Sequence, residues 1–154
     1  MNTNTVAYST TSPLGDSFLL IGRIALMVLF LLSGIAKFAD IAGTAAYIAS
    51  KGLPVPTALA VVSGLTEVIG SVLIVIGWQT RLVALGFLVY TLSAAYFFHD
   101  FWHLPQGAER LDTMIHALKN LSIAGAFLML AGSGAGRYSV DGPCLTHDRA
   151  VTGA

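Results

Sequence analysis

The sequence predicts an all-α integral membrane protein, a four-helix bundle with a short interfacial helix in its first loop. Of the 154 residues, 55% are hydrophobic and 10% charged, well under half the roughly 25% charge of an average soluble domain. The charges leave long clean stretches: Gly52 to Thr80 holds only Glu67, while Leu82 to Phe98 and Asn120 to Gly136 hold none. A helix crossing roughly 30 Å of hydrocarbon needs about 20 such residues, and each gap is close to that length.

Taken in order, the spans fall at 17–37, 57–77, 81–101 and 113–132, with tails at 1–16 and 143–154 flanking a membrane domain at 17–142. The first apolar run reads as a retained span. A secretory leader would carry early basic residues, and here no Lys or Arg precedes Arg23, which itself interrupts the apolar run. In the first loop, residues 42–50 (AGTAAYIAS) are too short to span and read as a helix lying at the interface. Gly52, Pro54 and Pro56 then stop one helix and preset the next. Trp78-Gln79-Thr80-Arg81 reads as a tight turn with an aromatic anchor. Asp100 to Asp112 forms the third loop, and after Leu130 the run AGSGAG releases the chain into a short extended or turn segment, RYSVDGP. That glycine run opens no helix, so it is no phosphate cradle.

Four spans put both termini on one side of the membrane, termed side A. Arg23, Arg81, Arg137 and Arg149 stand there against Lys37, Lys51 and Arg110 on side B, which the positive-inside rule reads as cytoplasmic termini. Localisation to a bacterial inner membrane follows from the family resemblance below. Zero net charge removes the basic footprint of a nucleic-acid binder. The single cysteine, Cys144, excludes an internal disulfide, a CxxC redox motif and a thiolate zinc cluster. No internal repeat or inter-domain linker is visible.

The charges that do lie in the spans point to a site. Glu67 stands near the midplane, where an ionised side chain costs about 2.5 kcal/mol or more. By rise per residue, Arg23 on the first span and Lys119 on the fourth each lie about 6 Å from it in depth, so both are expected as its partners. Ser63, Glu67, Gly70 and Ser71 form a small polar stripe at helical spacing. On the fourth span Asp112, His116, Lys119 and Asn120 share one face, expected to point inward. The third span offers Tyr90 at mid-depth and His99 near side B, with His103 four residues on. The first offers Ser33 and Lys37 toward side B, Lys37 two heptads from Arg23 and so near the same face. The expected result is a polar column from Glu67 to side B through Lys119, His116 and His99.

That column has a bland reading, an ion-pair network that only fixes helix register, and a functional one, a pocket or proton route. Histidines and a tyrosine, which charge balance does not require, favour the second. A metal site at His99, His103 and His116 is not expected, since no HExxH arrangement accompanies them. Trp78 and Trp102 read as interfacial anchors, with Trp102 also at the mouth of the column. Asp141 reads as a turn former.

Arg23, Leu29-Phe30-Leu31-Leu32-Ser33-Gly34-Ile35-Ala36-Lys37, Gly52-Leu53-Pro54, Glu67-Val68-Ile69-Gly70, Gly77, Phe98-His99-Asp100-Phe101-Trp102, Lys119-Asn120 and Gly136-Arg137-Tyr138-Ser139-Val140-Asp141 together resemble the DoxX family of small membrane proteins over residues 19–142. The resemblance implies a four-helix bundle of the bacterial inner membrane associated with redox systems, one branch being similar to the small subunit of thiosulfate:quinone oxidoreductase. Residues 143–154 lie outside the pattern.

The function expected is therefore a membrane-embedded redox accessory or subunit, its polar pocket taking a quinone or similar small hydrophobic molecule. Glu67 is the central carboxylate, Lys119 and Arg23 set its charge, His116 and His99 exchange protons with side B, and Tyr90, Asn120 and Trp102 contact the ligand. Quinone reduction needs protons as well as electrons, so a titratable route to mid-depth is the physical link. No haem, flavin or iron–sulfur motif is visible, and a peripheral redox protein is implied as electron donor. Two rivals stay open: a small-solute carrier working as an oligomer, and a non-catalytic scaffold or assembly protein. Gly22, Ala25, Gly64, Gly70, Gly86 and Gly125 permit close helix contacts in the bundle or between two copies as a homodimer.

Overall fold

A computed structural model of the chain describes residues 12–142; Cys144 and Arg149 lie outside them. Helices α1 (Pro13–Ala39), α2 (Ile41–Ser50), α3 (Pro56–Ile76), α4 (Thr80–Phe98) and α5 (Ala108–Ser133) follow in order, with one 3₁₀ turn at Phe101–His103 between α4 and α5. α1, α3 and α5, together with the α4 stretch Thr80–His103, are long and apolar enough to cross a membrane. The all-α four-span architecture is as the sequence predicts.

Local chemistry sets the boundaries. Ser12 caps α1, its Oγ accepting from Gly15 N at 3.2 Å, and Pro13 occupies the first turn. Asp40 ends α1 and caps α2 through Gly43 N at 2.8 Å, so a single residue makes the corner. Gly77 closes α3 in the left-handed conformation (φ 72°). A Cβ there would stand 2.2 Å from Ser139 Cβ and 2.3 Å from Arg23 Nη1, so only glycine fits.

Three boundaries differ from the hydropathy reading by three residues or more. α1 begins at Pro13, four residues before position 17, because Ser12 caps it and proline suits the first turn. α5 begins at Ala108 rather than 113, because Ala, Glu, Arg and Leu favour helix whether or not lipid surrounds them. α4 stops at Phe98, and His103 falls in the 3₁₀ turn instead of one helical turn beyond His99.

α1 packs chiefly on α3, α4 on α5, and α2 along α3. The centre is an aromatic trio: Phe87 sits 5.0 Å from both Phe30 and Phe127, which lie 5.5 Å apart. It joins α1, α4 and α5 beside Met27, Ile74 and Ala84. Leu32, Ile69, Leu82, Val89 and Leu121 face outward, an apolar surface suited to lipid.

Candidate intramembrane site

Glu67 projects from the middle of α3 and is 4% exposed. Both carboxylate oxygens are engaged. Lys37 Nζ lies 2.6 Å from Oε2 and also donates to Ser33 Oγ at 2.7 Å, while the Tyr90 hydroxyl donates to Oε1 at 2.6 Å. Three spans thus converge on one buried acid. Gly34 makes the approach of α1 to α3 close enough: a Cβ there would lie 2.8 Å from Val68 Cγ2 and 3.0 Å from Glu67 Cβ. Lys37 follows one turn later on the same face, which delivers its ammonium to the carboxylate.

Lys37 and Tyr90, the two partners of Glu67, line an apolar cavity of about 380 Å³. Lys37, Thr44, Ser63, Tyr90 and Ser93 supply polar groups there; Tyr47 and Ile48 of α2, Leu53, Leu59, Ala94, Phe97 and Phe98 supply the walls. Lys37 has three N–H donors and two partners. One donor is left on a side chain that is 22% exposed and lines the cavity.

The carboxylate is buried in the middle of its helix, as the sequence leads one to expect, but its expected partners lie elsewhere. Arg23 is 1% exposed and points to side A. Its Nη1 donates to Ile74 O at 3.2 Å and its Nη2 to Tyr138 O. Its work is structural, tying α1 to the end of α3 and to the closing segment. Val140 N and Asp141 N donate to Ile76 O and Gly77 O at 3.0 and 2.8 Å. The Asp141 carboxylate caps α4 by accepting Gln79 N at 2.9 Å and Thr80 N at 2.7 Å. Those backbone N–H groups, with the Arg23 cation adding, hold the Asp141 carboxyl below the usual carboxylate range. The Gly136–Asp141 motif is therefore a strap across side A, and Asp141 is more than a turn former.

Lys119 lies exposed on α5 and makes no ion pair among the described residues. Depth arithmetic gives a residue's level, not its direction around the helix axis. α5 turns Ala124, Phe127 and Leu130 to the core, which leaves Lys119 and Asp112 outside. The polar column through Lys119 is accordingly not formed. His116 stacks on His99 (centroids 5.3 Å, planes 14° apart) at side B and sits 3.7 Å from Asp112. His103 lies 3.5 Å from Asp100, which also binds Lys51 at 3.0 Å. Asn120 is half-buried, Trp102 packs on Tyr96, and neither lines the cavity. Of the expected site residues, Glu67 and Tyr90 meet, and His99 and His116 meet apart from them at side B. Lys37, set by sequence on the Arg23 face, takes the role expected of Lys119. Tyr47, Ile48, Phe97 and Phe98 gave no signal, since an apolar cavity lining and a lipid-facing surface have the same composition.

A bundle of membrane-spanning helices holding a Lys–Glu–Tyr cluster over an apolar cavity defines a small multi-pass membrane protein with an intramembrane pocket. The chain belongs to the DoxX family, whose profile matches residues 18–100. That span holds the whole Lys37–Glu67–Tyr90 cluster and stops short of Lys119 and the side-A strap. The chain is 40% identical over 138 residues to "Inner membrane protein YphA" of Escherichia coli (strain K12), covering 90% of this chain and 98% of the relative. It is 36% identical over 131 residues to "Inner membrane protein YqjF" of the same organism, covering 83% and 92%. No solved structure matches significantly.

Proposed function

We propose that this protein is a redox accessory or subunit of the bacterial inner membrane, whose cavity binds a quinone or similar small hydrophobic carbonyl compound in concert with a separate electron-donating protein. The observation that carries the reading is the pairing of an apolar cavity with a buried acid, ammonium and phenol beside it. A register-fixing ion pair needs the Lys37–Glu67 contact alone; it needs neither the cavity nor the Tyr90 hydroxyl donated to the second oxygen.

A quinone would supply the electron-accepting carbonyls. Lys37 would donate its remaining N–H to one such oxygen and stabilise the negative charge that reduction places there. Glu67 holds Lys37 in position and keeps its charge balanced, while Ser33 fixes the direction of the ammonium. Tyr90, bonded to Glu67, links the carboxylate to the cavity wall; the protons that reduction consumes would come from water at side B, with Lys37 holding the reduced oxygen and keeping its own. Electrons would come from the partner protein.

Native mass spectrometry after gentle solubilisation tests this. The expected result is bound quinone and a copurifying redox protein, with quinone lost in Lys37→Met/Glu67→Gln chains that remain folded. A chain that arrives alone and without ligand would overturn it in favour of a scaffold.

A further inference from the structure

The walls of the cavity say how its occupant arrives. α3 forms the back through Leu59 and Ser63, α2 one side and α4 the other. α2 packs along α3 and meets the end of α4 through the Tyr47–Phe98 ring stack, at 5.4 Å and 29°. Toward side B, the Lys51–Asp100 pair at 3.0 Å ties the residue after α2 to the loop after α4. Tyr47 and Phe97 both line the cavity and are 52% and 43% exposed on the apolar outer surface. The cavity therefore reaches the lipid-facing surface along the α2–α4 seam, on the membrane side of the Lys51–Asp100 pair.

Size and charge narrow the occupant. About 380 Å³ is at the small end of ligand pockets; it takes a ring-sized head and the first atoms of a chain. A longer tail would have to leave through the seam. Beside the cavity Glu67 already neutralises Lys37 at 2.6 Å. A second carboxylate would have to share that one cation in a low-dielectric site and repel Glu67. A neutral carbonyl oxygen accepts the remaining Lys37 N–H without that penalty.

From this we infer that the site takes long-tailed amphiphiles with a neutral carbonyl head, loaded sideways from the hydrocarbon between α2 and α4, tail left in the bilayer. The inference rests on the functional reading above and specifies its ligand class and route. The test is photoaffinity labelling of the intact protein in lipid nanodiscs, using a benzoquinone whose alkyl chain carries a diazirine near the ring, with peptide mapping. Crosslinks are expected on Tyr47, Phe97 and Phe98, reduced at least tenfold by excess decyl-benzoquinone and unchanged by palmitate at the same membrane mole fraction. Equal displacement by palmitate would overturn the neutral-head assignment. Crosslinks that a chainless benzoquinone displaces but that map to the α1–α5 groove at Gly22 and Met129, or to the α3–α4 groove at Ile69 and Gly86, would overturn the seam and leave quinone binding standing. Labelling that no quinone displaces would overturn both.

Discussion

Replacing Lys37 by Met separates the structural account from the depth-based one. At 2.6 Å the pair's attraction is about 6 kcal/mol for an effective dielectric near 20, and desolvation of the two ions offsets much of it. Removing both charges is therefore cheap, whereas removing one strands a carboxylate and costs about 3–5 kcal/mol. Lys37 retains 22% exposure, which favours the lower end, about 3 kcal/mol. For a chain of this size each kcal/mol moves the midpoint by ~2–4 °C, so Lys37→Met is expected to unfold about 6–12 °C lower in a thermal scan of detergent-solubilised protein. Adding Glu67→Gln should recover more than half of the loss. Lys119→Met should change stability by less than about 0.5 kcal/mol. A Lys119→Met loss equal to that of Lys37→Met, or no recovery in the double variant, would refute the assignment.

Tyr90→Phe removes a donor to a buried charge and should cost about 1.5–3 kcal/mol, read in the same thermal scan, and weaken quinone binding in a nanodisc titration. Gly34→Ala places a Cβ 2.8 Å from Val68 Cγ2; pushing α1 off α3 should cost about 1–3 kcal/mol and lower the yield of a disulfide engineered between α1 and α3. Asp141→Ala should cost about 1 kcal/mol as a lost cap, with Asp141→Asn recovering most of it. Because the folded Asp141 carboxyl lies below its unfolded range, its stabilisation is complete above about pH 5 and declines as pH falls through about 4 and below. Midpoints measured from pH 6 to pH 3 should fall more for the parent chain than for Asp141→Asn.

The helices were legible because charge-free runs of membrane-spanning length have few other solutions, and the burial of Glu67 followed from its depth. The partner did not follow. By depth Arg23 and Lys119 lie within a long side chain's reach, whereas Lys37, about 15 Å from the middle of its span, does not; the true partner depends on the rotation and relative shift of the helices, which depth arithmetic leaves open. Gly34 carried the missing clue, since a glycine one turn before a lysine marks the close α1–α3 approach. Arg23 shows the opposite error. A buried arginine in a span looks like a counter-ion, yet its guanidinium binds the carbonyls of Ile74 and Tyr138, and only the folded strap reveals that. The cavity is invisible in the sequence because the pattern of α2 places it at the interface and carries no indication that Tyr47 stacks on Phe98 of α4 or that Ile48 packs against α3.

Titration of decyl-benzoquinone into nanodiscs bearing the parent chain or Lys37→Met/Glu67→Gln tests the central claim most directly. Saturable binding at one molecule per chain, weakened at least tenfold in a double variant that keeps its helical content, is the predicted result. Equal affinity in the two proteins would contradict it.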